Sequence, residues 1–190
     1  KLFLNHNKIS NLGAKALAES KLAKKISYLM LEANQIGLGG VQSFATSLNL
    51  KNLETLFLDS NPIGPEGAEA LAMSTCLPSL SALHMDSTRI GDQGVKAIAA
   101  SQTLIKLKKL YLCSNKIGDE GAIALSQSTN LSHLSCLSIW RNEIRDAGGR
   151  AIAESNCFLK LERLYMSLNL IDKPTRKLIR SSSLASRLKT

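Results

Sequence analysis

The chain has 190 residues, with 24 basic and 15 acidic side chains, a net charge of +9, and only 4% aromatic residues. Its 44% hydrophobic content excludes a disordered or collagen-like chain. No apolar run approaches the ~18 residues of a membrane-spanning helix, and the length alone allows one domain or two small ones.

The pattern that decides between these begins at the first residues. Leu2 and Leu4 stand two apart, so both point to one face of a short strand. Asn7, Ile9 and Gly13 follow, leading into a small-residue helical stretch. Twenty-seven residues on, the set returns as Leu29, Leu31, Asn34, Ile36 and Gly40, and then as Leu56, Leu58, Asn61, Ile63 and Gly67. The fourth copy reads Leu83, Met85, Thr88, Ile90 and Gly94, with Thr in place of Asn. The fifth and sixth are Leu110, Leu112, Asn115, Ile117, Gly121 and Leu137, Ile139, Asn142, Ile144, Gly148. The seventh carries Leu164, Met166, Asn169 and Ile171, and has Thr175 where the glycine column should continue. Seven registers without insertion define an internal repeat.

Each column has a physical reading. The Asn ends its strand in a tight corner, where the side-chain amide can bond backbone groups of neighbouring turns. Thr88 has no amide, so a local weakness is expected there. The Ile is buried, and the Gly permits a turn or a close backbone approach. Asp92, Asp119 and Asp146, two residues before their glycines, are expected to be helix N-caps. Segments such as GAEALAMS and GVKAIAAS read as amphipathic helices.

The consensus LxxLxLxxNxIGDxGAxALAxS resembles the leucine-rich repeat family, in its ribonuclease-inhibitor-like class, over essentially the whole chain. That class is also seen in NOD-like receptors, the Ran GTPase activator and effectors of intracellular bacteria. The resemblance implies an α/β fold: a right-handed solenoid or horseshoe of about seven repeats, with a parallel concave sheet and convex helices. Residues 1–171 are assigned to repeats, and residues 172–190 to a last, divergent repeat or C-terminal cap. Because the chain opens with Lys1 inside a strand, the first repeat is expected to be N-terminally incomplete.

The charge sits at the ends. Residues 1–25 hold six Lys and one Glu, residues 160–190 eight Lys or Arg and two acids, and the stretch between nets −2. RNA binding through the basic ends is one reading; solvated caps are the simpler one, making nucleic acid the weaker alternative. The cysteine columns argue against disulfides: Cys76 and Cys157 lie three repeats apart, and Cys113 and Cys136 at opposite ends of adjacent strands. Unpaired thiols fit a reducing, intracellular compartment, which is the host cytosol if the protein is a bacterial effector.

Positions flanking the leucine pair should face the concave side. Six of the eight aromatics fall there: Phe3, Tyr28, Phe57, Tyr111, Trp140 and Tyr165. Phe44 and Phe158 fall in buried columns. Glu32, Asp59 and Asp86 form a column of carboxylates, while Lys109, Arg141 and Arg163 lie on later strands. Like charges stacked at ~5 Å cost stability, so this half is expected to meet a basic partner surface. The partner-binding candidates are Tyr28, Glu32, Phe57, Asp59, His84 and Asp86 on the earlier strands, then Tyr111, Trp140, Arg141, Arg163 and Tyr165 on the later ones. Against this stands a 54-residue superperiod in which Phe3, Phe57, Tyr111 and Tyr165 recur. Duplication of a two-repeat unit would copy an aromatic whether or not it binds anything.

Catalysis has little support. His84 and Asp86 share a strand without a nucleophile or oxyanion arrangement beside them. Cys113 reads as an exposed, ordinary thiol. No metal, cofactor or small-molecule substrate is expected. The expectation is a module whose concave face binds a folded protein, such as an enzyme that it inhibits or regulates, as a bacterial effector would. GTPase activation, working through an edge, and a NOD-like-receptor sensor domain are the alternatives.

Overall fold

The computed structural model describes residues 1–189. Strands and helices alternate throughout: β1 Leu2–Phe3, α1 Asn11–Glu19, β2 Tyr28–Met30, α2 Leu38–Ala45, β3 Thr55–Phe57 and α3 Gly64–Ala72. They continue as β4 Ala82–His84, α4 Gly91–Ala100, β5 Lys109–Tyr111, α5 Asp119–Gln127, β6 Cys136–Ser138, α6 Asp146–Ala153, β7 Arg163–Tyr165 and α7 Lys173–Ser181. The strands form one parallel sheet in chain order. Leu29, Leu56, Leu83, Leu110, Leu137 and Leu164 pair in register, so each neighbour is the residue 27 positions on. A parallel neighbour requires a crossover, and here a helix returns behind the sheet each time.

The leucine pair, the Ile and the inner helix face of every repeat fill one core running the length of the molecule. Leu56, Leu58 and Ile63 are buried there, as are Phe44 and Phe158. No repeat buries its apolar face by itself; it does so against its neighbours.

Asparagine amides stitch those neighbours together. Asn61 Nδ2 donates to Leu58 O at 3.0 Å and to Leu31 O, one repeat back, at 2.9 Å. Its Oδ1 accepts from Ile36 N, also one repeat back, at 2.9 Å. Asn34, Asn142 and Asn169 make equivalent links. At Thr88 the hydroxyl reaches Met85 O of its own repeat at 2.6 Å. It does not reach back, and Ile63 N–H turns instead to Asn61 O at 2.9 Å. Gly64 then takes φ +73°, a left-handed conformation that favours glycine, and bonds Thr88 O at 3.0 Å. The expected weakness is therefore visible as missing side-chain bonds between the third and fourth repeats.

The capping expectation needs correction. Asp92, Asp119 and Asp146 lie inside the first turns of their helices, and none caps its own. Asp92 Oδ1 accepts from Gly118 N at 2.7 Å and Gly121 N at 2.9 Å, at the start of the next helix. Asp119 does the same for Arg145 N and Gly148 N, both at 2.8 Å, and Asp146 reaches Asp172 N at 2.8 Å. Asn11 serves Gly37 N and Gly40 N. Parallel helices one repeat apart bring a carboxylate on one within reach of free N–H groups on the other. Leu38 and Pro65 occupy this column in the second and third repeats, where no such link can form.

Asp172 caps its own helix, accepting from Thr175 N at 2.7 Å. After α7 and a short 3-10 turn at Ala185–Arg187, Lys189 N–H bonds Glu162 O at 2.7 Å. The same bond, Glu162 N to Ser135 O and Ser135 N to Lys108 O, ushers earlier repeats into their strands.

Candidate functional site

The sheet face opposite the helices carries the residues singled out above. Strand alternation sends the leucine pair inward and the residues between and beside it outward. Four rings and one imidazole join into a ribbon across five strands. Phe3 lies 5.6 Å from Tyr28, and Tyr28 lies 5.1 Å from Phe57, both tilted. Phe57 then stacks on His84 at 3.8 Å, and His84 on Tyr111 at 4.1 Å. Lys1 Nζ sits 5.4 Å from the Tyr28 ring centroid, within cation–π range. Phe57, His84 and Tyr111 share one register column, so His84 bridges two aromatics that the 54-residue superperiod sets two repeats apart.

The ribbon stops at Tyr111 because the next residue in its column is Ser138, which is buried. Tyr165 follows Ser138 and is 48% exposed, and Trp140 is 38% exposed. Arg141 and Arg163 are also exposed. The candidate residues thus form a half-buried aromatic ribbon on β1–β5 and a separate, solvent-facing set just past β6 and on β7.

The acidic column serves the backbone as well as the surface. Asp59 Oδ1 accepts from Asp86 N at 2.7 Å, and Asp86 Oδ1 from Cys113 N at 2.6 Å. Burial pushes the Asp59 carboxyl up to about 7; the bond from Asp86 N–H opposes this, and the charges of Asp86 and Glu32 add to it. Asp86 is raised too, chiefly by burial. Burial, with Lys109 nearby, holds His84 down at about 4, so the imidazole is neutral in its sandwich at physiological pH. Tyr111 is pushed up to about 12 by burial, and its hydroxyl lies 3.5 Å from Cys136 Sγ. No His84–Asp86 bond forms: the ring is stacked, and Asp86 Oδ1 is engaged with Cys113 N.

Cys113 is not the exposed thiol expected from its position. It is buried, with Sγ 3.0 Å from Ser138 Oγ, and burial raises its pKa. Cys136 and Ala82, also on outward positions, are closed over as well. All four cysteines are free. Among the described residues no group of three His, Cys, Asp or Glu is placed to hold a metal ion, and no helix is long and apolar enough to cross a membrane.

Sequence reasoning missed a second charged surface at the strand-entry edge. Lys106, His133, Lys160 and Arg187 stand one repeat apart in a single column there, all exposed. The 27-residue step that exposed the other columns would have found it.

One open parallel sheet, backed by helices and bearing an aromatic and charged free face, defines a repeat solenoid. The chain belongs to the leucine-rich repeat family, whose model matches residues 1–18, 49–72, 76–99, 103–126 and 130–153. Domains of this family generally mediate protein–protein interaction. No curated protein sequence matches significantly. Among solved structures, a chain from an octameric complex of Latrophilin 3, Unc5D and the leucine-rich repeats of FLRT2 is similar, with a TM-score of 0.51 and 21% identity. The alignment covers 92% of this chain and 55% of that one, so this chain corresponds to about half of its neighbour's length and the likeness is one of fold.

Proposed function

We propose that this chain is a protein-recognition module that grips a folded partner on its concave sheet. The observation that carries this reading is the concentration of an aromatic-poor protein's rings on one free face, six of eight, flanked by segregated charge. Exposed aromatics and Arg beside partly desolvated charge are the usual material of interface hot spots. Trp140, Arg141, Arg163 and Tyr165 are the anchors best able to reach a partner, because they are the exposed ones among the partner-binding candidates named above. Tyr28, Phe57, His84 and Tyr111 make a stiff floor. Glu32, Asp59 and Asp86 favour a basic partner surface over β2–β4.

The reading extends to the ribonuclease-inhibitor-like class, supported by a helix in every repeat. Restraint of a partner enzyme, as by an intracellular effector, fits that class. Four free thiols support a reducing compartment.

The test is a paired capture from cell lysate using the wild type and a Trp140→Ala, Arg141→Ala, Tyr165→Ala variant whose fold is checked by circular dichroism. A protein retained by the wild type and lost by the variant supports the concave face. Equal retention by both refutes it.

A further inference from the structure

The strand-entry edge of the later repeats is a surface distinct from the concave ribbon. Two adjacent cavities, about 490 Å³ and 410 Å³, open there, and Lys108 and His133 line both. Lys106 lines the first, Lys160 and Arg187 the second. The floor is not polar throughout: Ile105 is 49% exposed and Leu159 66% exposed, one in the repeat before His133 and one in the repeat after it. Glu162 is held by Lys189 Nζ at 2.8 Å, so that acid and that base cancel. Glu54 is the remaining acid, at the far end of the first cavity. Lys160 and Arg187 stand one strand step apart, ~4.8 Å, and repel one another, with Lys106 two steps beyond Lys160.

We propose that this trough is a second docking site, taking an extended acidic segment of a partner protein whose carboxylates alternate with aliphatic or aromatic side chains. Carboxylates would meet Lys106, Lys108, Lys160 and Arg187, while the apolar side chains cover Ile105 and Leu159. From Lys106 to Arg187 is three strand steps, roughly 14 Å, which about four or five extended residues span at ~3.3 Å each. A nucleic-acid strand is the poorer occupant. No Phe, Tyr or Trp lines either cavity, leaving the His133 imidazole alone to stack a base, and a phosphate chain would leave the two apolar side chains wet.

The experiment titrates wild-type protein into a fluorescein-labelled peptide alternating Glu with Leu, followed by anisotropy, with an all-Glu peptide and an oligouridylate in parallel. Saturable binding of the Glu–Leu peptide is expected, tighter than that of either comparison probe and weakened by added salt. Lys106→Glu with Lys160→Glu should weaken it at least about tenfold. Ile105→Ser with Leu159→Ser should remove its advantage over all-Glu. Trp140→Ala with Tyr165→Ala should leave it unchanged, separating this site from the concave one. All these positions are exposed, and circular dichroism checks each variant. The proposal is overturned if the wild type shows no saturable peptide binding, if oligouridylate binds more tightly, or if charge reversal has no effect.

Discussion

The asparagine ladder yields a sharp stability prediction at Asn115. Its Oδ1 accepts from Thr88 N at 2.9 Å, and its Nδ2 donates to Met85 O at 2.7 Å, both in the preceding repeat and both buried. Asn115→Ala removes these bonds and leaves two buried N–H groups, those of Thr88 and Ile90, without their acceptor, while Met85 O keeps only the Thr88 hydroxyl. A stranded buried polar group costs about 1–3 kcal/mol, and the weaker contacts to Thr88 Oγ1 and Cys113 O go as well. The expected loss is about 3–5 kcal/mol, a large share of a small domain's stability. Asn7→Ala is the control: Asn7 is exposed and bonds only Leu4 O and Asn5 O within its own turn, so its loss should stay below about 1 kcal/mol. Urea unfolding read by circular dichroism and by the single Trp140 measures both. Equal destabilisation by the two substitutions would refute the view that amides couple the repeats.

Asp59 and His84 pull the pH profile in opposite directions. Asp59, raised to about 7, binds protons more readily in the folded state, so its contribution falls as pH rises from about 4 to about 7. His84, lowered to about 4, is protonated more readily when unfolded, so its contribution falls as pH drops from about 6.5 to about 4. Relative to wild type, Asp59→Asn should therefore make stability rise more steeply with pH across that window and His84→Phe less steeply, with Asp86 adding to the decline in both, in urea midpoints measured from pH 4 to pH 8. Asp119→Ala should cost about 1 kcal/mol by releasing Arg145 N and Gly148 N, measured by thermal unfolding. Gly148→Ala should cost about 1–3 kcal/mol in the same assay. The added methyl would lie 2.7 Å from Asp119 Oδ1 and 2.9 Å from both Ala122 Cβ and Ile144 Cγ2.

The periodicity made the sheet, its register, the buried Ile and Asn columns and the outward face legible, because a 27-residue step maps one strand onto the next. It did not reveal which helix an Asp would serve. Sequence places Asp92 near a helix N-terminus, but the nearest free N–H groups belong to the following repeat, a fact of lateral spacing. Nor did it reveal that Cys113 and Ser138 are covered, since an outward-pointing small side chain is accessible only if its neighbours leave it so. The stacking of His84 between Phe57 and Tyr111 lay in the columns, yet a histidine there reads as polar surface until the ring distances are known. The basic edge was hidden by summing charge along the chain instead of across repeats.

The third and fourth repeats meet without two of the ties found elsewhere. Thr88 supplies no amide reaching back, and Pro65 no carboxylate reaching forward. On the sheet side Asp59 still holds Asp86 N–H at 2.7 Å. On the helix side, close apolar packing such as Gly94 against Ala68 joins the pair. In mechanical terms the joint is a splice in which packing stands in for side-chain ties: Ser101 Oγ and Thr103 Oγ1 still hold Ala72 O at 2.5 Å and 2.9 Å on the helix side, so the arc keeps its curvature here without the amide and carboxylate links used elsewhere.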